Sequence, residues 1–258
     1  MVPNMSIDAD QVASALASVW VYLIDAVPNG WSRRHNGVVA GATGVPLPTL
    51  NGVWPEAADP DVHTVSDLLD ELASTGIPHC LQLRPGASEQ LSSLAADRGM
   101  AEQPPIPLMA LEQSDRLGTA QDVEQLRIRQ LAPDEARLHA RTAARGFEAP
   151  EDPFLQLMTP AVLARPGTRC YVGEIDGEQV TTGLGVTLGQ AVGIFNIATP
   201  PEHRGRGFGT AVTARAVADG LAVGARWSYL QSTEAGYPVY RRMGFVTVEQ
   251  WDCWVAAS

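Results

Sequence analysis

The 258-residue sequence predicts an α/β fold with a mixed sheet, built as two copies of one plan. At 191–224, an apolar strand-like run is followed by a glycine loop and an alanine-rich segment that favours a helix. Strand-like and helix-like segments also alternate along the whole chain. Each half then has a helix, a glycine, a strand, a second helix, a glycine pair and a strand. The marker residues are Gly76 and Gly99-Met100 in the first half, and Gly224 and Gly244-Phe245 in the second.

The first half begins with an expected amphipathic helix over 12–27. This segment includes Ser14, Ser18 and Asp25 and is shorter than a membrane span, and no basic region precedes it, so we do not expect a signal peptide or an anchor. A turn at Pro28-Asn29-Gly30 should follow. The other expected elements are a hairpin over 31–39, a strand over 49–54, a helix over 64–74, a strand over 77–83, a helix over 88–97 with Ser88 as N-cap, and a strand over 106–111.

Residues 112–121 are polar and lack a hydrophobic period, so they are expected to link a domain at 1–111 to a domain at 122–258. In the second domain we expect a strand over 123–131, a helix from Pro133 to 144 ended by Gly146, a short helix to about 164, a hairpin of 169–175 and 179–188 around Asp176-Gly177, and a central strand over 192–198. A helix to about 222 with Gly224 as its stop and a strand over 227–231 should follow.

Composition limits the classes of partner. The formal net charge of −11 argues against nucleic acid or an anionic membrane, because both repel a polyanion. Cys80, Cys170 and Cys253 are far apart in apolar surroundings, as in the core of a reduced, cytoplasmic protein. The five histidines are scattered and show no metal-binding spacing, so no metal is expected.

The glycine loop over 204–209 is the strongest functional signal. Gly205, Gly207 and Gly209 allow a tight turn at a helix start, where backbone N–H groups bind phosphate. A dinucleotide fingerprint would need glycine at 210, where the chain has Thr210, and an acid some 20 residues on, where it has Tyr229. A P-loop would need a lysine, and the chain has none.

The spacing Arg204-x-x-Gly207-x-Gly209 resembles the coenzyme A pyrophosphate loop of the GNAT acetyltransferases. A strand before the loop, a long helix and a strand after it, and Tyr240 four residues before Gly244-Phe245 extend the resemblance over roughly 122–258. The first half has Asp-Pro-Asp-Val-His-Thr-Val where the loop would be, so it is expected to be a degenerate GNAT-like copy without a coenzyme. The resemblance therefore implies a tandem GNAT fold with one acetyl-CoA site per chain.

The resemblance also implies roles for individual residues. Tyr240 would be the general acid that returns a proton to the coenzyme thiolate. A backbone N–H near 197–199 would stabilise the oxyanion, and the free edge of that strand would pair with the pantetheine arm. Thr233 stands where the family often has asparagine, so its hydroxyl either holds the coenzyme or only caps a helix. The coenzyme-binding residues implied are Ile197, Ala198, Thr199, Arg204, Gly205, Arg206, Gly207, Phe208, Gly209, Thr210 and Thr233.

The general base stays open. Gly193 and Asn196 occupy strand positions where the family often has a glutamate, which leaves Glu174, Glu234 or a chain of water molecules. Asn196 is also a candidate for contact with the substrate. Glu148, Glu151 and Asp152 lie in a segment that lines the acceptor pocket of related proteins, so they either attract a cationic amine or are an ordinary solvated loop.

The sequence thus predicts an acetyl-CoA-dependent N-acetyltransferase, cytoplasmic, monomeric or homodimeric, in which an amine attacks the thioester directly within a ternary complex. The acceptor would be a small-molecule amine or a protein amine. Two alternatives from other classes are a sensor that binds acyl-CoA without turnover and an interaction protein whose loop binds nothing.

Overall fold

The computed structural model of the chain describes residues 7–112 and 123–256. The linker expected at 112–121 therefore lies outside the described residues, except for Glu112. The described chain divides into two compact units. The N-terminal unit comprises 7–108 and 247–256, and the C-terminal unit comprises 109–112 and 123–246. No helix within these ranges has both the length and the apolar content that crossing a membrane requires.

The N-terminal unit packs three helices against a mixed sheet. The helices are α1 (Ala9–Ile24), α2 (Val62–Ser74) and α3 (Glu89–Asp97). Besides residues 101–108 of β5 (Ala101–Glu112), the strands are β1 (Trp31–His35), β2 (Val38–Ala42), β3 (Asn51–Pro55), β4 (His79–Leu83) and most of β11 (Val246–Ala256). They lie in the order β1-β2-β3-β4-β11, and only the β3–β4 pair is parallel. The predicted hairpin and the predicted helices of this half are confirmed, with boundaries shifted by a few residues.

Helix α1 begins earlier than predicted because Asp8 caps it. The Asp8 carboxylate accepts from the Gln11 N–H at 2.8 Å, and the Gln11 side chain accepts from the Asp8 N–H at 3.1 Å. This reciprocal arrangement satisfies two N–H groups that a helix start otherwise leaves unpaired. Ser88 precedes α3 as predicted, but its side chain makes no cap hydrogen bond in the described structure.

The last strand of the chain belongs to the N-terminal unit, which the sequence-based boundary at 122–258 did not anticipate. Strand β11 runs antiparallel to β4, from Asp252 opposite Leu83 to Ala256 opposite His79. A buried ion pair fastens it there, since the Arg84 guanidinium donates to both Glu249 carboxylate oxygens at 3.0 and 2.8 Å. A hydrophobic pattern marks a strand but does not name its neighbour in a sheet.

The C-terminal unit has helices on a sheet with the order β10-β9-β8-β7-β6. Its helices are α4 (Ala136–Phe147), α5 (Glu151–Leu157), α6 (Pro160–Leu163), α7 (Phe208–Ala222) and α8 (Tyr237–Met243). Its strands are β6 (Arg127–Gln130), β7 (Thr168–Ile175), β8 (Glu178–Leu188), β9 (Ala191–Ala198) and β10 (Trp227–Gln231). Strand β5 (Ala101–Glu112) begins in the N-terminal unit, and its last four residues belong to the C-terminal one. The predicted hairpin, central strand and long helix are confirmed, whereas the first strand is shorter than predicted.

Gly146 does not end α4 as the sequence suggested. The helix continues to Phe147, and Glu148 is its left-handed cap with φ of 54°. Gly146 instead faces the end of β9, where a Cβ would lie 2.7 Å from the Ala198 Cβ and 2.9 Å from the Thr199 nitrogen. The glycine is therefore required by close packing between helix and strand, and not by a turn.

The three cysteines are buried free thiols, as predicted. Cys80 on β4 and Cys253 on β11 interact with each other, and this contact together with burial raises the pKa of the Cys80 thiol well above its usual value. Burial also raises the pKa of the Cys170 thiol. Thiols with raised pKa values are poor nucleophiles, so Cys80 and Cys170 contribute to packing.

Candidate active site

Strands β9 and β10 separate where the glycine loop begins. Their parallel register runs from Trp227 opposite Ala191 to Tyr229 opposite Gly193. Strand β9 continues to Ala198, and residues 196–198 have no register partner on β10 among the described pairs. The last residues of β9 therefore form a free edge beside the glycine loop. The resemblance implied such an edge on the strand that precedes the loop.

A β-bulge redirects the end of β9. Against β8, Leu184 lies opposite Phe195 but Thr182 lies opposite Ala198, so β9 carries one extra residue between these pairs. Asn196 sits in this interval with a left-handed φ of 49°. A bulge bends a strand and increases its twist, which turns the final residues of β9 away from β10. Sequence reasoning missed the bulge, although asparagine is the non-glycine residue that tolerates such a φ best.

The glycine loop adopts the conformation that its composition requires. Gly205 and Gly207 have φ of 77° and 82°, and Gly207 is the N-cap of α7. The Arg204 N–H donates to Pro201 and the Ala211 N–H to Gly207, but none of the N–H groups from 205 to 210 donates to another described residue. A run of unpaired N–H groups at the start of a 15-residue helix is an anion-binding arrangement.

Gly209 brings the first turn of α7 close to the end of β9. A Cβ at Gly209 would lie 3.5 Å from Ile197 Cγ2 and 3.5 Å from Thr199 Oγ1. Thr199 Oγ1 is also 3.0 Å from Thr181 Oγ1 on β8. The predicted coenzyme-binding residues of β9 and of the loop therefore meet at one place.

Arg204 fastens the loop to α4 and β9. Its guanidinium donates to Thr199 O at 3.2 Å, to Gly146 O at 2.7 Å and to the Glu148 carboxylate at 3.1 Å. The neighbouring Arg206 is exposed and lies over the ring of Phe208, 4.6 Å from its centroid. Of the two arginines, Arg204 holds the loop in place, whereas Arg206 remains at the surface.

Replacing Arg204 with methionine is expected to lower the free energy of unfolding by about 1–2 kcal/mol, because the variant loses two hydrogen bonds to carbonyl groups. The exposed Glu148 pair should add little to this loss. The matched variant Arg206→Met should change stability by less than about 0.5 kcal/mol. Urea unfolding of both variants tests this, and equal losses would show that Arg204 does not fasten the loop.

Tyr240 lies on α8, partly buried against the core of the C-terminal unit. Its ring packs edge-on against Phe245, with centroids 5.8 Å apart. Its hydroxyl makes no hydrogen bond to any residue in the described ranges. Burial raises the pKa of the Tyr240 phenol to about 12, so the group keeps its proton at neutral pH.

Thr233 caps the turn that leads into α8. Its Oγ1 accepts from the Gly236 N–H at 3.1 Å, and its carbonyl accepts from the Tyr237 N–H at 3.0 Å. The structure thus contains the capping contact, and the contact of the Thr233 hydroxyl with the coenzyme stays a prediction.

Glu174 is engaged at the β6–β7 edge of the sheet. It accepts from Arg129 at 3.3 Å, and the same guanidinium lies 2.9 Å from Glu135. A carboxylate that is paired with arginine at this edge is a poor candidate for the general base. The other candidate, Glu234, is exposed in the turn before α8.

The predicted acceptor residues lie on the segment from the end of α4 to α5, and arginines pair with two of the three acids. Glu148 contacts Arg204, and Glu151 lies 3.6 Å from Arg137 and 4.0 Å from Arg141. Asp152 is exposed in the first turn of α5. Asn196 approaches the same segment, since its Nδ2 is 3.8 Å from the Met158 sulfur.

A second acidic cluster includes a histidine. Glu178, Glu202 and His203 place possible ligand atoms within 4.8 Å of one another. The Arg145 guanidinium already contacts both carboxylates. It supplies positive charge where a metal ion would sit, so the described residues give no reason to assign a metal there.

His139 is a buried titratable group that sequence reasoning did not single out. It lies on α4 with no exposed surface, and its Nδ1 is 2.7 Å from Thr182 Oγ1. The Thr182 hydroxyl donates to Tyr171 O at 2.7 Å, so it accepts from His139, and Nδ1 carries the proton. Nε2 has no hydrogen-bond partner among the described residues. Burial lowers the pKa of His139 to about 4.

His139 should make stability depend on pH. Its folded-state pKa lies below the unfolded value near 6.5, so the unfolded chain binds the proton first. This contribution to stability is complete above about pH 6.5 and falls as the pH decreases toward 4, by about 1.4 kcal/mol per pH unit. His139→Asn keeps a donor for Thr182 and removes the titration. Between pH 6.5 and pH 5, the free energy of unfolding measured in urea should fall by about 2 kcal/mol less in the variant than in the unchanged protein. Equal decreases in the two proteins would contradict the assignment.

Comparisons with known proteins agree with this geometry. Residues 166–247 match a family model described as an acetyltransferase (GNAT) domain. A GCN5-related N-acetyltransferase from Kribbella flavida is 18% identical and superposes with a TM-score of 0.71 over 98% of this chain and 97% of its own. A functionally unknown conserved protein from Staphylococcus epidermidis is 11% identical, with a TM-score of 0.65 over 88% and 94%.

The tandem form also has a structural counterpart. A tandem GNAT protein from the clavulanic acid biosynthesis pathway is 15% identical, with a TM-score of 0.55 over 96% of this chain and 95% of its own. No significant match was found among curated proteins. These likenesses confirm the predicted α/β fold class and its GNAT-like architecture across both halves of the chain.

Proposed function

We propose that the protein transfers an acetyl group from acetyl-CoA to an amine by direct attack in a ternary complex, because residues 166–247 match the model of an acetyltransferase (GNAT) domain. The observation that carries the proposal is the run of N–H groups from 205 to 210, which donate to no residue in the described part of the chain, beside the free end of β9. The buried thiols suit a reducing compartment, and we place the activity in the cytoplasm.

The loop would bind the pyrophosphate of the coenzyme. The left-handed glycines at 205 and 207 keep the backbone bare, and the N–H groups at the start of α7 form the positive end of its dipole. Exposed Arg206 adds charge at the same place. A diphosphate satisfies donors that have no partner among residues 7–112 and 123–256, which supports this ligand over an apolar one.

The end of β9 would orient the acyl group. Its free edge, residues 196–198, can pair with the pantetheine amides in the manner of an added strand. A backbone N–H between 197 and 199 then lies where it can stabilise developing negative charge on the carbonyl oxygen. The bulge at Asn196 sets the direction of these groups.

Tyr240 would supply the proton that the thiolate needs on departure. A phenol with a pKa of about 12 is almost fully protonated at neutral pH. The amine attacks the carbonyl carbon, the bond from that carbon to sulfur breaks, and the Tyr240 hydroxyl gives its proton to the sulfur. The proton that the amine loses would leave through a chain of water molecules or through the exposed Glu234, since Glu174 is held by Arg129.

Calorimetry with acetyl-CoA and thiol release over a panel of amines test the proposal together. We expect one coenzyme site per chain and thiol release that depends on an amine. Binding without release for every amine would favour an acyl-CoA sensor. The absence of binding would favour an interaction protein and overturn the proposal.

A further inference from the structure

We infer that the acceptor is a primary amine on an aromatic or aliphatic body without further charge, and that Phe147 contacts this body. The inference rests on the proposed function, because it names the substrate class of the same site. It depends on three features of the segment 136–158, namely its position, the pairing of its acids, and an exposed aromatic side chain.

The position follows from contacts within the C-terminal unit. Gly146 packs on Ala198 and Thr199 at the end of β9, and Phe154 belongs to the same buried cluster as Ala198. Asn196 of the bulge contacts Met158. The segment therefore lies against the part of β9 that would orient the acyl group, where the attacking amine must arrive.

The charges in this segment balance. Arg204 pairs with Glu148, and Arg137 and Arg141 flank Glu151, with the exposed Asp152 as the remaining acid. Three arginines thus offset the charge of three acids. Arg204 donates a hydrogen bond to Glu148, whereas the two arginines beside Glu151 lie at ion-pair distance, and the buried Glu151 Oε1 accepts no hydrogen bond from a described residue. A polyamine or an aminoglycoside needs a surplus of unpaired carboxylates, because each additional ammonium group loses hydration on binding.

The aromatic side chain is Phe147. It is 43% exposed at the end of α4, and its ring stacks on the buried Phe154 ring with centroids 5.7 Å apart and an interplanar angle of 7°. Phe147 and Val223 are the exposed large hydrophobic residues in the described part of the chain. A ring that is backed by a second ring and partly exposed to water presents a rigid apolar surface, here among acids and arginines whose charges balance.

Steady-state rates with acetyl-CoA and two probe amines, 2-phenylethylamine and spermidine, test the inference. We expect kcat/KM to be at least about tenfold higher for 2-phenylethylamine. Phe147→Ala should lower kcat/KM for this amine about tenfold, through KM, and should leave the affinity for acetyl-CoA unchanged. The matched control is Val223→Ala, which truncates the other exposed residue and should change neither constant.

A double variant tests the converse, because it removes the arginines that lie beside one of the acidic side chains. Replacing both Arg137 and Arg141 with glutamine frees Glu151, and kcat/KM for spermidine should rise at least about threefold. A wild-type preference for spermidine, or an equal response of both amines to Phe147→Ala, would overturn the inference.

A second readout separates failure of the inference from failure of the proposed function. Calorimetry of 2-phenylethylamine with the complex of the protein and desulfo-CoA, which has no thiol, reports acceptor binding without chemistry. If no amine releases thiol but this binding occurs and depends on Phe147, the transfer activity fails and the acceptor class stands. If neither amine binds or reacts, the inference is overturned as well.

Discussion

Replacing Gly207 with valine is expected to weaken acetyl-CoA binding at least about 100-fold, which corresponds to about 2.7 kcal/mol. Gly207 has φ of 82°, a conformation that a β-branched residue adopts only with strain. The N-cap would move toward an extended φ, and the N–H groups of 208–210 would no longer point to one place. Calorimetry measures the loss directly.

Gly177 provides the matched control for this variant. It has φ of 83° in the turn between β7 and β8, and a Cβ at this position would have no neighbouring atom within 4 Å. Gly177→Val therefore introduces comparable strain at a distance from the loop, and it should lower stability while leaving the affinity for acetyl-CoA within about twofold. Equal losses of affinity in both variants would show that the effect is general destabilisation.

Replacing Tyr240 with phenylalanine is expected to lower kcat about 100-fold to 10,000-fold, the range that general acid catalysis contributes. The hydroxyl bonds to no other described residue, so its removal should not disturb packing against Phe245. The affinity for acetyl-CoA should therefore stay within about threefold. Thiol-release rates and calorimetry separate the two constants.

Tyr237→Phe is the control on the same helix. The Tyr237 hydroxyl accepts a long bond of 3.4 Å from Arg241, and its loss should leave kcat nearly unchanged. The pH profile gives a further check, because a Tyr240 pKa of about 12 predicts no loss of activity from its deprotonation below about pH 11. If Tyr240→Phe retains full kcat, Tyr240 is a packing residue and the proton comes from elsewhere.

Local features of the sequence predicted much of the fold. The Asp176-Gly177 turn, the strand at 227–231 and the stop at Gly224 follow from residue types within a few positions of one another. The positive φ at Gly205 and Gly207 is likewise a local property, because only glycine adopts it freely. Such features depend on backbone sterics and on short-range periodicity, both of which a single sequence displays.

Features that join distant residues were missed. The sequence did not indicate that Arg204 would bind Gly146 and Glu148, or that Arg137 and Arg141 would lie beside Glu151. From the sequence, the acidic segment was either a site for a cationic amine or a solvated loop, and neither interpretation included the arginines that lie beside two of its acids. Side-chain partners depend on which helix faces are adjacent, and the spacing of charges along the chain does not reveal this.

The sequence by itself determined the α/β class, the repeated plan, the bare glycine loop before α7 and the helix that carries Tyr240, because each is specified by residues close together in the chain. Only the tertiary structure decided that β11 pairs with β4, that β9 bulges at Asn196 and that Gly146 serves packing. Strand pairing and close approach are selected by the free energy of the whole packed core, to which residues far apart in sequence contribute together.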